Sequence, residues 1–281
     1  MELLQTVAET QSYILLLKQN GYQIGLVPTM GALHRGHISL VKLARQENDI
    51  VICSIFVNPI QFNNPEDLLK YPRTLEADMA MLREAGCDAV FAPSAQEIYP
   101  EPDNSIYDFG MLDKLMEGKF RPGHFNGVAI VIRRLLQITH ADVAYFGEKD
   151  FQQLTIIRKM VEMLSLPVRI VSCAIIREPD GLAMSSRNQR LLPEERAVAP
   201  LLYAVLQRNA VQYSSLSPAK LQQKIMAEIE QNPLFRVEYV EIVDMDTLKT
   251  ISTWTDSKHV IVCLAVFLGQ VRLIDNLVLL R

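Results

Sequence analysis

The residues best suited to chemistry in this chain are two imidazoles three positions apart, in His34-Arg35-Gly36-His37. With 5 histidines and 12 glycines in 281 residues, His-x-Gly-His is expected by chance roughly 0.004 times, so the string asks for an explanation. An apolar run from Ile24 to Val27 precedes it, Pro28 and Gly31 mark a turn, and apolar residues at Ile38, Val41 and Ala44 predict a helix. Both histidines then lie at a helix N-terminus, whose unpaired backbone N–H groups and partial positive charge suit phosphate. Gly31 and Gly36 would let backbone approach a ligand closely. The metal alternative lacks a third ligand nearby, and the zinc-peptidase spacing His-Glu-x-x-His is absent.

Three other polar segments follow strand-like or turn-like runs, the positions where ligands bind in doubly wound sheets. After Ile50 to Val57 comes Asn58-Pro59-Ile60-Gln61-Phe62, which either aims two amides into a crevice or is an ordinary solvated loop. After Val143 to Phe146 comes Gly147-Glu148-Lys149-Asp150, with Gln153 close behind. Asp150 and Gln153 could form nothing more than a capping box. Lys149 just before a helix start opposes the macrodipole unless it meets an anion, or else faces solvent. The fourth segment, Met184-Ser185-Ser186-Arg187, offers two hydroxyls and a guanidinium that suit phosphate oxygens, although such a string is common in exposed loops.

The elements that must position these groups alternate. Thr6 and Glu9 form a capping box ahead of Val7, Ile14, Leu15 and Leu17, and Asn20-Gly21 ends that helix. Strands over 24–27, 50–57, 89–92, 143–146 and 168–174 are interleaved with helices after Gly36, from Thr74, over 128–136 and over 151–164. Between Pro93 and Gly127 the periodicity fades, as for loops around a site. The alternation predicts an α/β fold, a doubly wound, Rossmann-like parallel sheet, over residues 1–175. Beyond it, Pro193 and Ser217-Pro218 open helices, the second with Leu221, Ile225 and Ile229 on one face. Three strand candidates at 237–243, 259–268 and 271–279 then predict a smaller α+β C-terminal domain over 176–281.

Composition narrows the function classes. At 49% apolar residues the chain can fill a sizeable core, and a formal charge of −4 argues against a nucleic-acid binder. Cys53, Cys87, Cys173 and Cys263 lie far apart without a Cys-x-x-Cys and are expected to be reduced core residues. The first residues lack a signal-peptide pattern, and the longest apolar run, Val260 to Leu268, is too short to cross a bilayer, so a cytoplasmic protein away from membranes is expected.

Taken together, His34 to His37 and Met184 to Arg187 resemble the paired nucleotide-binding signatures of the class I aminoacyl-tRNA synthetase and nucleotidylyltransferase superfamily. The strings Pro28-Thr29-Met30-Gly31-Ala32-Leu33-His34, Asn58 to Phe62, Tyr71-Pro72-Arg73-Thr74, Arg121-Pro122-Gly123-His124-Phe125 and Gly147 to Asp150 are similar to those of the pantoate–β-alanine ligase family. The resemblance implies attack of pantoate on Mg²⁺-bound ATP, giving pantoyl adenylate and pyrophosphate, then attack of β-alanine with release of AMP. It implies a homodimer whose partners are these small molecules. By resemblance, His34, His37, Lys149, Ser185, Ser186 and Arg187 act on the phosphates, with His37 as proton donor. The nucleotide is bordered by Met30, Gly31, Ala32, Leu33, Arg35, Gly36, Gly147, Glu148, Asp150, Ile176 and Met184. Gln61, Gln153 and Asn58 hold the substrate acids. Asp78 is either an Mg²⁺ ligand, a member of a polar network or a surface carboxylate. The C-terminal domain is expected to act as a lid carrying Ser185, Ser186 and Arg187. Two alternatives stand beside this: a nucleotidylyltransferase that forms no amide, and an inactive ATP-binding module.

Overall fold

The computed structural model describes residues 1–63 and 65–280. Its strands are β1 (Glu2–Leu4), β2 (Ile24–Thr29), β3 (Ile50–Ile55), β4 (Ala89–Phe91), β5 (Val143–Gly147), β6 (Arg169–Cys173), β7 (Phe235–Asp244), β8 (Val260–Leu268) and β9 (Val271–Leu280). The helices are α1 (Val7–Gln19), α2 (Arg35–Glu47), α3 (Pro65–Leu69), α4 (Leu75–Glu84), α5 (Ala95–Ile98), α6 (Met116–Phe120), α7 (His124–Thr139), α8 (Phe151–Met163), α9 (Pro193–Val198), α10 (Leu201–Ala210) and α11 (Pro218–Glu230). The chain divides into two compact units, Met1–Glu148 with Gln153–Ala174, and Lys149–Gln152 with Ile175–Arg281.

In the first unit β1 to β6 form a parallel sheet in the order β1-β4-β3-β2-β5-β6. Each central strand is covered on both sides, which is why it reads as an apolar run rather than an alternation. Ile24 and Leu26 of β2 join a core that includes Ile14 and Leu17 of α1 and half of α7. Val27, on the other side of the pleat, joins Leu40, Val41 and Ala44 of α2 and Leu82 of α4. The chain winds outward from β2 through β3 to β4, then returns to place β5 beside β2. In doubly wound sheets such a reversal of strand order marks the switch point, and ligands bind past the carboxyl ends of the strands that flank it, here β2 and β5.

Local sequence explains most boundaries. Thr6 Oγ1 accepts from Glu9 N at 3.2 Å and Glu9 Oε2 accepts from Thr6 N at 3.0 Å, the expected capping box. Leu15, expected on the apolar face of α1, is exposed; the buried stripe is Thr10, Ile14 and Leu17, at i, i+4 and i+7. Thr10 tolerates burial because its hydroxyl donates to Thr6 O at 2.8 Å. Helix α7 begins at His124, four residues earlier than expected, after Gly123 in the left-handed region at φ 80°. Strand β1 and helices α3, α5, α6 and α10 had no expectation of their own; all but α10 are five residues or fewer, too short to show a period.

The second unit carries β7, β8 and β9 as an antiparallel sheet with β8 in the middle. Leu221, Ile225 and Ile229 of α11 and Leu202, Val205 and Leu206 of α10 share its core with Val262, Leu264 and Val266. The architecture is thus the expected doubly wound parallel sheet followed by a smaller α+β part. Lys149–Gln152 groups with this second unit rather than with the segments that flank it, and Asn276 Nδ2 of β9 donates to Lys149 O at 3.1 Å. All four cysteines are free and buried, and burial pushes the thiols of Cys87 and Cys173 up to about 11. No helix among the described residues is long and apolar enough to cross a membrane.

Candidate active site

The turn between β2 and α2 is built from groups that hold one another. Gly31 and Ala32 both adopt left-handed backbone, at φ 78° and 50°, a conformation that is unusual for a residue with a side chain. The turn is fixed from beneath. Thr29 Oγ1 accepts from Gly31 N at 3.2 Å and donates to Ser54 O of β3 at 2.8 Å. Asp78 of α4 is 2% exposed, and its two oxygens accept from Ala32 N at 3.0 Å and Leu33 N at 2.8 Å. Thr74 Oγ1 adds a third hydrogen bond to Asp78 at 3.2 Å. Asp78 is therefore a member of a polar network under the turn, not a surface carboxylate.

The histidines complete the turn. His34 is the N-cap of α2, with Nδ1 accepting from Gly36 N at 3.1 Å, and His37 Nδ1 accepts from His34 N at 3.3 Å. An imidazole nitrogen that accepts carries no proton, so each neutral ring bears its N–H on Nε2. The ring centroids lie 4.0 Å apart with planes tilted by 38°. This changes one sequence expectation. The backbone N–H groups of Gly31, Ala32, Leu33, His34 and Gly36 are already engaged by Thr29, Asp78, His37 and His34. Those five amides are spent within the turn itself and are not the donors for an anion.

Beside the turn, the amides of Asn58 and Gln61 are buried and bonded to each other, Asn58 Nδ2 to Gln61 Oε1 at 3.1 Å. Gln61 Nε2 lies 3.1 Å from Met30 Sδ, so two segments that are far apart in sequence meet here. A 3-10 turn over Pro59–Gln61 packs against α7, where Gly127 leaves no room for more: a Cβ there would stand 2.6 Å from Ile60 O and 2.9 Å from Gln61 Cα. His124 Nδ1 donates to the backbone oxygen of Gln61 at 2.9 Å. The sequence marked His124 only as part of a family-like string and Gly127 only as the end of a stretch without period, because their contacts reach across more than sixty residues. Arg35 is exposed. Glu148–Asp150 form a 3-10 turn that runs directly into α8, whose third residue is the half-buried Gln153.

In the second unit, residues 176–184 form a hairpin around the expected turn at 178–181. Met184 N donates to Ile176 O at 3.0 Å and Gly181 N to Glu178 O at 2.9 Å. Arg177 anchors it, bonding Asp275 of β9 through two nitrogens at 2.6 and 2.9 Å and lying 3.4 Å from the Tyr203 ring centroid. Ser185 then caps a 3-10 turn over Ser186–Arg190, its hydroxyl accepting from Arg187 N at 3.3 Å. Ser185, Ser186 and Arg187 are half-buried. Among the described residues no group of three or more His, Cys, Asp or Glu could hold a metal ion.

Comparison with known proteins finds relatives along the whole chain. A pantothenate synthetase of Porphyromonas gingivalis is 52% identical over 277 residues, 99% of each chain. The crystal structure of pantothenate synthetase from Thermus thermophilus superposes with a TM-score of 0.93 at 43% identity, covering 100% of both chains. A pantoate-beta-alanine ligase from Francisella tularensis, solved in complex with beta-gamma ATP and beta-alanine, gives a TM-score of 0.83 at 37% identity over 99% and 98% of the two chains. The sequence profile described as Pantoate-beta-alanine ligase matches residues 2–278, across both compact units, and the chain belongs to that family.

Proposed function

We propose that His34, His37, Lys149, Ser185, Ser186 and Arg187 stabilise the phosphates of ATP while pantoate is adenylated, and that Gln61 and Gln153 hold the substrate acids; Asn58, expected beside them, is 1% exposed with its amide bonded to Gln61, Gly127 O and the Tyr99 hydroxyl, so it supports Gln61 instead of touching substrate. The chain is a ligase that condenses pantoate with β-alanine at the expense of ATP, through pantoyl adenylate, with release of pyrophosphate and AMP. The observation that carries the assignment of the two histidines is that each gives its Nδ1 to a backbone amide of the turn. Rings held as Nε2–H by backbone amides are donors fixed before the substrate arrives, so they stabilise developing phosphate charge without reorganising. In this reading His37 donates a hydrogen bond through Nε2–H; acting as the proton donor that the family resemblance implies would require the imidazolium, whose Nδ1 could no longer accept from His34 N.

Neutral amides suit pantoate, since they bond hydroxyls and a carboxylate without neutralising the nucleophile. Residues 30–37, Gly147 to Asp150, Ile176 and Met184 border the nucleotide. Mg²⁺ enters with ATP and is held mainly by phosphates and water. Asp78, whose oxygens already accept two backbone amides and a hydroxyl, acts by holding the turn. The second unit serves as a lid: its Ser185, Ser186 and Arg187 belong to a separate compact unit, so ATP can draw them in and exclude water from the adenylate. A cytoplasmic homodimer is the setting we infer from the family.

The test measures pyrophosphate release with pantoate and ATP, with and without β-alanine, in the parent enzyme and in Gln61→Ala and Gln153→Ala. Each variant should raise the pantoate requirement more than the ATP requirement. Normal pantoate kinetics in Gln153→Ala would return Gln153 to a helix-start role. A nucleotidylyltransferase would show no AMP coupled to amide formation.

A further inference from the structure

The polarity of the Gln61 amide is decided outside the substrate site. Gly127 O can only accept, so the Asn58 side-chain atom 3.1 Å away must be the NH2 group. That same nitrogen faces Gln61 at 3.1 Å and therefore requires the oxygen of Gln61 there. Gln61 is left with its own NH2 directed toward Met30, where the thioether is a weak acceptor that a substrate oxygen can replace. The remaining polar atom of Asn58, Oδ1, accepts from the Tyr99 hydroxyl at 2.9 Å. Asn58 is 1% exposed, so an Oδ1 deprived of that hydroxyl would have no water to turn to.

We propose that Tyr99 is a positioning residue for pantoate: by donating to Asn58 it holds the amide chain in which Gln61 presents N–H, not C=O, to the substrate. This rests on the reading that Gln61 holds pantoate. Tyr99 sits at the C-cap of α5, with its ring centroid 6.2 Å from that of Phe56. Burial, reinforced by the charge of Asp103, raises its phenol pKa, so the hydroxyl stays a donor throughout the neutral range. The relay runs Tyr99 to Asn58 to Gln61, with Gly127 O setting its sense. A ligand offering an oxygen to Gln61 is accepted; one offering only an N–H is not.

The experiment is a double-mutant cycle on the intact enzyme, with Tyr99→Phe, Gln61→Ala and the pair, reading KM for pantoate and for ATP separately. Tyr99→Phe should raise the pantoate KM roughly three- to tenfold, the worth of one hydrogen bond, with the ATP KM unchanged. In the Gln61→Ala background it should change the pantoate KM by less than about twofold, because the group it orients is gone. An ordinary pantoate KM in Gln61→Ala would overturn both the reading of Gln61 and the relay. A raised KM there with no effect of Tyr99→Phe, with additive effects, or with an equal rise for ATP, would overturn the relay alone. If the Tyr99→Phe protein does not fold, the same cycle with Asn58→Ser reads the same chain and is judged by the same outcomes.

Discussion

The two turns assigned to the phosphates are held in different ways. The turn at 29–37 has buried anchors beneath it: Asp78 and Thr29 grip its backbone, and both histidines spend one nitrogen on the turn itself. The turn at 185–190 is half-exposed and is organised by one serine cap and by Asn188 Nδ2 donating to Ala183 O at 3.0 Å. Its firm attachment lies farther back, at the Arg177–Asp275 pair, whose side chains are 15% and 3% exposed. The first turn is therefore a rigid donor set in which fold and function share residues. The second is a short, half-exposed arm on a firm base.

That contrast predicts different costs. His37→Ala should slow adenylation the most, by roughly 10²- to 10³-fold, the loss typical of one fixed donor to developing charge. Single-turnover pyrophosphate release reads it. Because His37 Nδ1 also accepts from His34 N, the variant should lose about 1 kcal/mol of stability as well. Stoichiometric zinc in the purified protein, with activity lost on its removal, would sink the phosphate role.

Asp78→Ala should join the two losses more tightly. Two buried amides, of Ala32 and Leu33, would be left without an acceptor, lowering stability by about 2–4 kcal/mol in urea titration. Adenylation should fall with it, and Asp78→Asn, which keeps one acceptor, should restore part of both. Full activity in a destabilised Asp78→Ala protein would separate the turn from the chemistry. Arg187→Ala is the counterpart on the arm: adenylation down by roughly ten- to a hundredfold, read in the same single-turnover assay. The lid reading adds that a non-hydrolysable ATP analogue compacts the molecule in small-angle scattering and that Arg187→Ala weakens the compaction. Identical scattering with and without saturating analogue would reject closure.

The same contrast explains what was legible in the sequence. His34 and His37 were recognisable because both belong to one local motif, and the helix they open follows from spacing at Ile38, Val41 and Ala44. The capping box at Thr6 and Glu9 and the stripe Leu221, Ile225 and Ile229 were legible for the same reason: each is contained within a few turns of chain. What stayed hidden depends on contacts between distant segments. Asp78 looks like any first-turn helix carboxylate until Ala32 and Leu33 are found above it. Tyr99, His124 and Gly127 fall in a stretch without period, and their contacts to Asn58, Gln61 and Ile60 appear only once α7 has packed on the 59–61 turn. The grouping of Lys149–Gln152 with β9 is likewise a tertiary fact, invisible in a string that passes unbroken from β5 to α8.

The smallest predicted effect sets a buried ion pair of the first unit against an exposed one of the second. Asp103 accepts from Arg133 at 2.5 Å, Arg134 at 3.1 Å and both the N–H and hydroxyl of Ser105, tying the chain after Tyr99 to α7. Burial raises its pKa, but the Ser105 donors and the two guanidiniums outweigh that and leave it at about 2, below the ordinary 3.8. A carboxylate held low contributes stability that is present above the ordinary value and is lost as pH falls through the folded one. The contribution, about 2 kcal/mol at most, should therefore fade between about pH 4 and pH 2. Against its own desolvation, Asp180 is also held low, by Arg196 at 2.6 Å, but these side chains are 40% and 36% exposed, and solvent screens such pairs to well under about 1 kcal/mol. In urea titrations Asp103→Asn should lie about 1–2 kcal/mol below the parent at about pH 6, with the gap narrowing below about pH 4. Asp180→Asn should lie within about 0.5 kcal/mol of the parent at every pH. Equal gaps for the two, or a gap for Asp103→Asn that does not narrow in acid, would mean that burial does not separate these two pairs in the way their geometry requires.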